Sequence, residues 1–113
     1  MAANYEEEKL QIAWVKWYKL AYPKYKKLLC YNFSNSKSLL EGKRNKAKGL
    51  QEGRSDLVLY FKGKATHIEI KTPKGVQSEA QKEWQSEIEK QGFEYRIVRN
   101  FNEFQYLISH LLK

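Results

Sequence analysis

From Gly53 to Lys71 the chain reads GRSDLVLYFKGKATHIEIK. Two runs rich in Leu, Val, Ile and aromatic residues, Leu57 to Phe61 and Thr66 to Lys71, flank the short connector Lys62-Gly63-Lys64-Ala65. That pattern specifies an antiparallel β-hairpin. Side chains alternate along a strand, so Glu69 and Lys71 share one face while Ile68 and Ile70 point to the other. Asp56 stands at the head of the first strand, where a tight hairpin brings its carboxylate toward that of Glu69.

Working outward from the hairpin, Leu10, Ala13, Trp14, Trp17, Leu20 and Ala21 recur at spacings of three and four, which predicts an amphipathic helix from Tyr5 to about Ala21, ended by Pro23. Leu28 to Gly53 reads as loops around at most one short helix near residues 37 to 41. After the break at Thr72-Pro73-Lys74-Gly75, a helix from Ser78 to Gln91 presents Ala80, Trp84 and Ile88 on one face and stops at Gly92. Phe93 to Val98 is a third strand. A last helix, about Asn102 to Leu112, turns Phe104, Leu107, Ile108, Leu111 and Leu112 inward. A helix between the second and third strands implies a crossover, so the expected architecture is α/β, a mixed sheet covered by helices, in one domain over residues 1–113.

The 113 residues include 21 Lys and Arg against 13 Asp and Glu, a formal charge of +8. Residues 1 to 64 hold 14 bases and 6 acids, whereas residues 65 to 113 hold 7 of each. A one-sided excess points to an acidic polymer, with nucleic acid ahead of an anionic membrane, or to a basic surface kept for solubility. No apolar run approaches the roughly 20 residues needed to span a bilayer. The single cysteine, Cys30, cannot pair within the chain, and the N-terminus opens with acids where a signal peptide carries bases. A soluble, unexported protein of a reducing, cytoplasmic compartment is the expectation. No G-x-x-x-x-G-K-[ST], paired C-x-x-C or H-E-x-x-H is present, so nucleotide hydrolysis, a nucleotide cofactor and structural zinc have no support.

Asp56 and Glu69, with an adjacent backbone carbonyl at Ile70, offer the hard oxygen ligands that Mg²⁺ or Mn²⁺ takes alongside water. Lys71 beside them can orient a water or offset charge on a phosphorane-like transition state. Glu69 and Lys71 also read as an ordinary ion pair on a solvated sheet face. Gln81, three residues after Ser78, fits a capping box. Glu7 is one of three consecutive acids where a helix start favours negative charge, so Glu6 or Glu8 could stand in for it. His67 falls on the Glu69 face and reads as structural. Trp14, Trp17 and Trp84 suit a core. Tyr18, Tyr22, Tyr25 and Tyr31, interleaved with lysines, suit either a nucleic-acid surface or the rim of the core. Lys43, Arg44, Lys46, Lys48, Arg54 and Lys74 are the candidate phosphate contacts.

Taken together, G-R-S-D at Gly53 to Asp56, E-I-K at Glu69 to Lys71, and K-G-V-Q-S-E-A-Q-K-E-W at Lys74 to Trp84 resemble the virus-type replication-repair nuclease (VRR-NUC) domain, a branch of the P-D-(D/E)-x-K nuclease superfamily. Glu7 and Gln11 match its opening E-x-x-x-Q, and the stretch from Gly92 matches its closing strand and helix. The resemblance implies a restriction-endonuclease-like sheet, metal ligation by Asp56 and Glu69, service of the attacking water by Lys71, a cleft position for Gln81, and an acid at Glu7. It further implies a Mg²⁺- or Mn²⁺-dependent endonuclease acting as a homodimer on branched DNA such as four-way junctions, in a bacterial or phage-infected cell. The competing reading is a non-catalytic basic nucleic-acid-binding module on the same fold. Arg54-Ser55-Asp56 departs from the family, which more often places an apolar residue and Pro before the aspartate.

Overall fold

The computed structural model describes residues 5–32 and 38–113. Helix α1 (Tyr5–Ala21) leads through a 3₁₀ segment, Pro23–Leu28, into a short strand β1 (Leu29–Tyr31), then α2 (Leu39–Ala47), β2 (Leu57–Phe61), β3 (Lys64–Ile70), α3 (Glu79–Lys90), β4 (Glu94–Val98) and α4 (Phe101–Leu111). The strands form one mixed sheet in the order β1-β2-β3-β4. β1 pairs antiparallel with β2, and β2 antiparallel with β3 in the register Leu57–Ile68 and Phe61–Lys64. β4 runs parallel to β3, with His67 beside Tyr95 and Ile70 beside Val98, as the α3 crossover requires.

The hairpin turn is tighter than the four-residue connector expected from sequence. β3 begins at Lys64, so Lys62 and Gly63 alone make the turn, both at positive φ (50° and 78°). A two-residue turn of this hand matches the twist of the strands it joins.

Alternation along the strands divides the sheet into two unlike faces. Leu57, Leu59, Ile68, Ile70 and Val98 meet Trp14 and Tyr18 of α1 and Phe104, Leu107 and Ile108 of α4 in the main core. Each such large side chain, fully buried, contributes roughly 1.5–3 kcal/mol. The opposite face carries Val58, His67, Glu69 and Tyr95, all buried, under α3. There the His67 ring meets Trp84 edge-on at 6.0 Å and Phe93 at 5.8 Å. Tyr18, one of the candidate stacking residues, lies in the core with no exposed surface; its hydroxyl donates to the Tyr25 carbonyl at 2.6 Å, and burial, the main cause, pushes it up to about 12. Tyr22 and Tyr25 line the core rim, and Tyr31 is exposed.

Two elements depart from the sequence reading. β1 is a three-residue edge strand with only Leu29 buried, too short for a period to show. α2 is capped by Ser38, whose hydroxyl accepts from the Glu41 N–H at 3.1 Å, and it buries no residue at all. A helix without an apolar stripe leaves no periodic signal. The first part of the short helix expected near residues 37 to 41 lies outside the described residues.

Candidate active site

The N-terminal ends of α1 and α3 converge on the end of β3, leaving a cleft of about 1150 Å³. Glu7, Gln11, Asp56, Lys71 and Gln81 all line it, as do Lys46 and Arg54. Glu69 lies behind Lys71 with no exposed surface.

Asp56 is fixed at both its main chain and its side chain. Its carbonyl accepts from the Asn32 N–H at 2.9 Å, tying the start of β2 to the end of β1. Its Oδ2 accepts from the Ile70 N–H at 2.7 Å, which holds the carboxylate against the end of β3. Burial pushes the Asp56 carboxyl up to about 6 despite that hydrogen bond, and the negative charges of Glu69 and Glu7 add to the rise while Lys71 opposes it. The preceding loop explains the placement. Gly53 has φ of +78°, and a Cβ there would fall on the Ala80 carbonyl, so the Gly53 backbone packs directly on the first turn of α3. Ser55 follows, fully buried, its Oγ 3.3 Å from the Leu57 carbonyl and 3.2 Å from His67 Nδ1. Burial lowers the His67 imidazole below its ordinary value and keeps it neutral. Where the family more often has Pro, this chain therefore anchors the turn through Ser55 and His67.

Glu69 has two differently used oxygens. Its Oε1 accepts from the Tyr95 hydroxyl and from Gln77 Nε2 at 3.0 Å, and Gln77 is in turn held by Gln85 Oε1 at 2.9 Å. Burial first, and then the bond to Glu69, push the Tyr95 hydroxyl well above its ordinary range, so it stays a donor. Oε2 is buried with no hydrogen-bond partner. The Lys71 ammonium lies 3.8 Å from it and stands at the same distance from Glu7 Oε2 on α1. Lys71 thus bridges two carboxylates from different elements, at ion-pair range and beyond hydrogen-bonding reach of either.

Gln81 serves both readings of its position. Its Oε1 accepts from the Ser78 N–H at 2.8 Å while its own N–H reaches Ser78 Oγ at 3.2 Å, completing the capping box. The cap uses the oxygen, and the residue still borders the cleft. Of the basic candidates, Lys46 and Arg54 line the cleft, Lys46 also pairing with Glu52 at 2.8 Å. Arg44 and Lys48 border a separate pocket on α2, where Lys43 also sits, and Lys74 is exposed in the turn after β3. Arg99 clamps that turn through Nη1, donating to the Thr72 carbonyl at 2.9 Å and the Gly75 carbonyl at 2.6 Å.

Among the described residues no three His, Cys, Asp or Glu side chains converge closely enough to enclose a metal by themselves. A Mg²⁺-type ion does not ask for that, since one or two carboxylates, waters and substrate phosphate usually complete its shell. A buried carboxylate oxygen lacking any donor, close to a second desolvated carboxyl, is a donor set that suits such an ion.

A four-stranded mixed sheet flanked by helices, carrying D…E-x-K at one end of the hairpin, is the design of a nuclease-type domain. The VRR-NUC domain profile matches residues 1–101, and the chain belongs to that nuclease family. A solved structure described as a VRR_NUC domain protein superposes with a TM-score of 0.74 at 20% identity, covering 93% of this chain and 86% of that one. No curated protein matches the sequence.

Proposed function

We propose that this chain is a Mg²⁺- or Mn²⁺-dependent endodeoxyribonuclease that hydrolyses phosphodiester bonds in branched DNA, four-way junctions included, and works as a homodimer. The observation that carries the reading is the buried, donor-free Oε2 of Glu69 beside the Lys71 ammonium. Asp56, Glu69 and the Ile70 carbonyl would hold the ion. A bound divalent ion supplies charge to polarise the phosphate and acidify water.

The chain's own groups do the remainder. Lys71, largely desolvated and drawn between Glu7 and Glu69, presents its ammonium where negative charge builds on the phosphoryl oxygens as water attacks phosphorus and the ester P–O bond breaks. Glu7 counters the pull of Glu69 and keeps that ammonium at the cleft. Tyr95 and Gln77 lock the Glu69 carboxylate by one oxygen and so aim the other. A two-fold dimer suits paired cuts related by symmetry.

The test incubates branched, duplex and single-stranded DNA with Mg²⁺, Mn²⁺ or EDTA, beside Lys71→Ala. Cleavage that needs the metal and Lys71 supports the reading, and cleavage surviving either EDTA or the substitution refutes it. Binding without cleavage under every condition favours a non-catalytic module, for which Lys71 is simply the ion-pair bridge between Glu7 and Glu69.

A further inference from the structure

The cleft carries no excess of positive charge. It is lined by Glu7, Glu8, Glu52 and Asp56 against Lys46, Arg54 and Lys71, with Glu69 buried behind. Much of the excess lies at the opposite end of the molecule. Between Lys9 and Leu40 the sequence has no acid at all. Within that stretch Lys19 lies in the last turn of α1, and Lys24, Lys26 and Lys27 lie in the 3₁₀ segment, all exposed. The hairpin turn adds exposed Lys62 and Lys64.

Packing joins these two segments, which are distant in sequence. Tyr25 meets Phe61 edge-on at 5.1 Å; Lys24 Nζ lies 5.7 Å over the Tyr25 ring and Lys62 Nζ 5.4 Å over the Phe61 ring. Among the described residues none of these six lysines forms a salt bridge with a carboxylate side chain, whereas Lys46, Lys71, Lys82 and Lys90 each do; Lys62 donates to the Lys113 main-chain oxygen at 2.8 Å. Six like charges gathered without carboxylate side chains to pair them repel one another, a cost that a polyanion removes.

We propose that this pole, Lys19, Lys24, Lys26, Lys27, Lys62 and Lys64, is a second DNA-backbone contact that holds a duplex arm away from the cleft. Six residues of β3 separate Lys64 from Ile70, about 20 Å at strand rise, and from Glu7 to Lys19 the α1 axis covers about 18 Å. That span equals roughly six base-pair steps at 3.4 Å each. The proposal rests on the cleft being a DNA site, and it makes substrate length, as well as branch geometry, a determinant of affinity. Phosphate contacts of this kind position the duplex without reading its sequence.

The test measures anisotropy of fluorescein-labelled 20-base-pair and 5-base-pair duplexes, in EDTA, from 50 to 200 mM salt. The combined Lys24→Gln, Lys26→Gln, Lys27→Gln variant is compared with the unaltered chain, and Lys62→Gln with Lys64→Gln forms a second, independent variant. Three lost contacts lower the salt slope by roughly 2.7, so the affinity loss on the long duplex is roughly 40-fold greater at 50 mM than at 200 mM. The short duplex loses much less. An unchanged slope on the long duplex, or equal losses on both lengths, overturns the proposal. So does tighter binding to phosphatidylserine vesicles than to the long duplex, because the pole is then a membrane contact. Binding is read without metal, so a chain that binds as described and never cleaves refutes the nuclease reading while leaving the pole intact.

Discussion

Tyr95 on β4 donates its hydroxyl hydrogen to Oε1 of Glu69 on β3, across the parallel pairing of the two strands. A neutral donor thereby fixes a buried carboxylate by one oxygen and leaves the other without a partner. Tyr95→Phe removes that donor and costs about 1.5–3 kcal/mol, the range for a hydrogen bond to a charged group. The melting temperature in EDTA is expected to fall. Mg²⁺ affinity, read by calorimetric titration, is expected to weaken 10- to 100-fold, as for other groups that orient a ligand. A variant with unchanged Mg²⁺ affinity shows that Tyr95 only packs.

Asp56 sets a pH dependence. In the folded chain it keeps its proton up to about pH 6, whereas the unfolded chain releases it near 3.8. The folded state therefore binds the proton more tightly, and the stabilisation present below pH 3.8 is lost as pH rises through 6. Asp56→Asn, which keeps an acceptor for the Ile70 N–H, should be more stable than the parent at pH 8 by up to roughly 3 kcal/mol. The gap should close toward pH 4. Urea unfolding at both values in EDTA measures it, and the acid loss from neutral His67 is common to both chains and cancels. An equal gap at both pH values contradicts the assignment.

The close approach of Gly53 to Ala80 predicts a graded glycine series. Gly63 also has positive φ, but nothing lies within 4 Å of a Cβ there. Gly63→Ala should cost on the order of 1–2 kcal/mol from the backbone alone. Gly53→Ala adds collision with the Ala80 carbonyl and should lower the urea midpoint clearly further. Equal midpoints for the two variants would mean that the loop and α3 do not touch.

Arg99 holds the turn between β3 and α3 by two carbonyls, so its loss should loosen the turn and spare the core. Arg99→Ala is expected to raise amide exchange across residues 72–77 while the midpoint shifts by no more than about 1 kcal/mol equivalent. The main-chain N–H that Arg99 gives to Glu103 Oε1 survives the substitution, so unchanged exchange across residues 72–77 would show that the side chain does not hold the turn.

Much of this was legible in the sequence because it follows from period. The hairpin, α1, α3 and α4 each carry an alternating or three-and-four pattern, and the shared face of Glu69 and Lys71 needs only the strand repeat of two. Tyr95 was not legible. Its neighbours depend on β4 lying parallel to β3 in one register, and no local pattern states that pairing. Tyr18 misled for a related reason: the lysines around it suggest a surface, yet the helix turns its ring inward against Tyr22 and the core. Ser55 looked like a departure from the family motif until His67, twelve residues on, supplied its partner.

α2 contributes nothing to the interior, although Gly42 and Lys46 form part of the cleft wall. A nine-residue helix without tertiary burial is marginal in water. The wall it forms is consequently a yielding one. A wide, stiff guest entering between α1 and α3 can displace or unwind this helix at little thermodynamic expense, with the sheet behind it undisturbed.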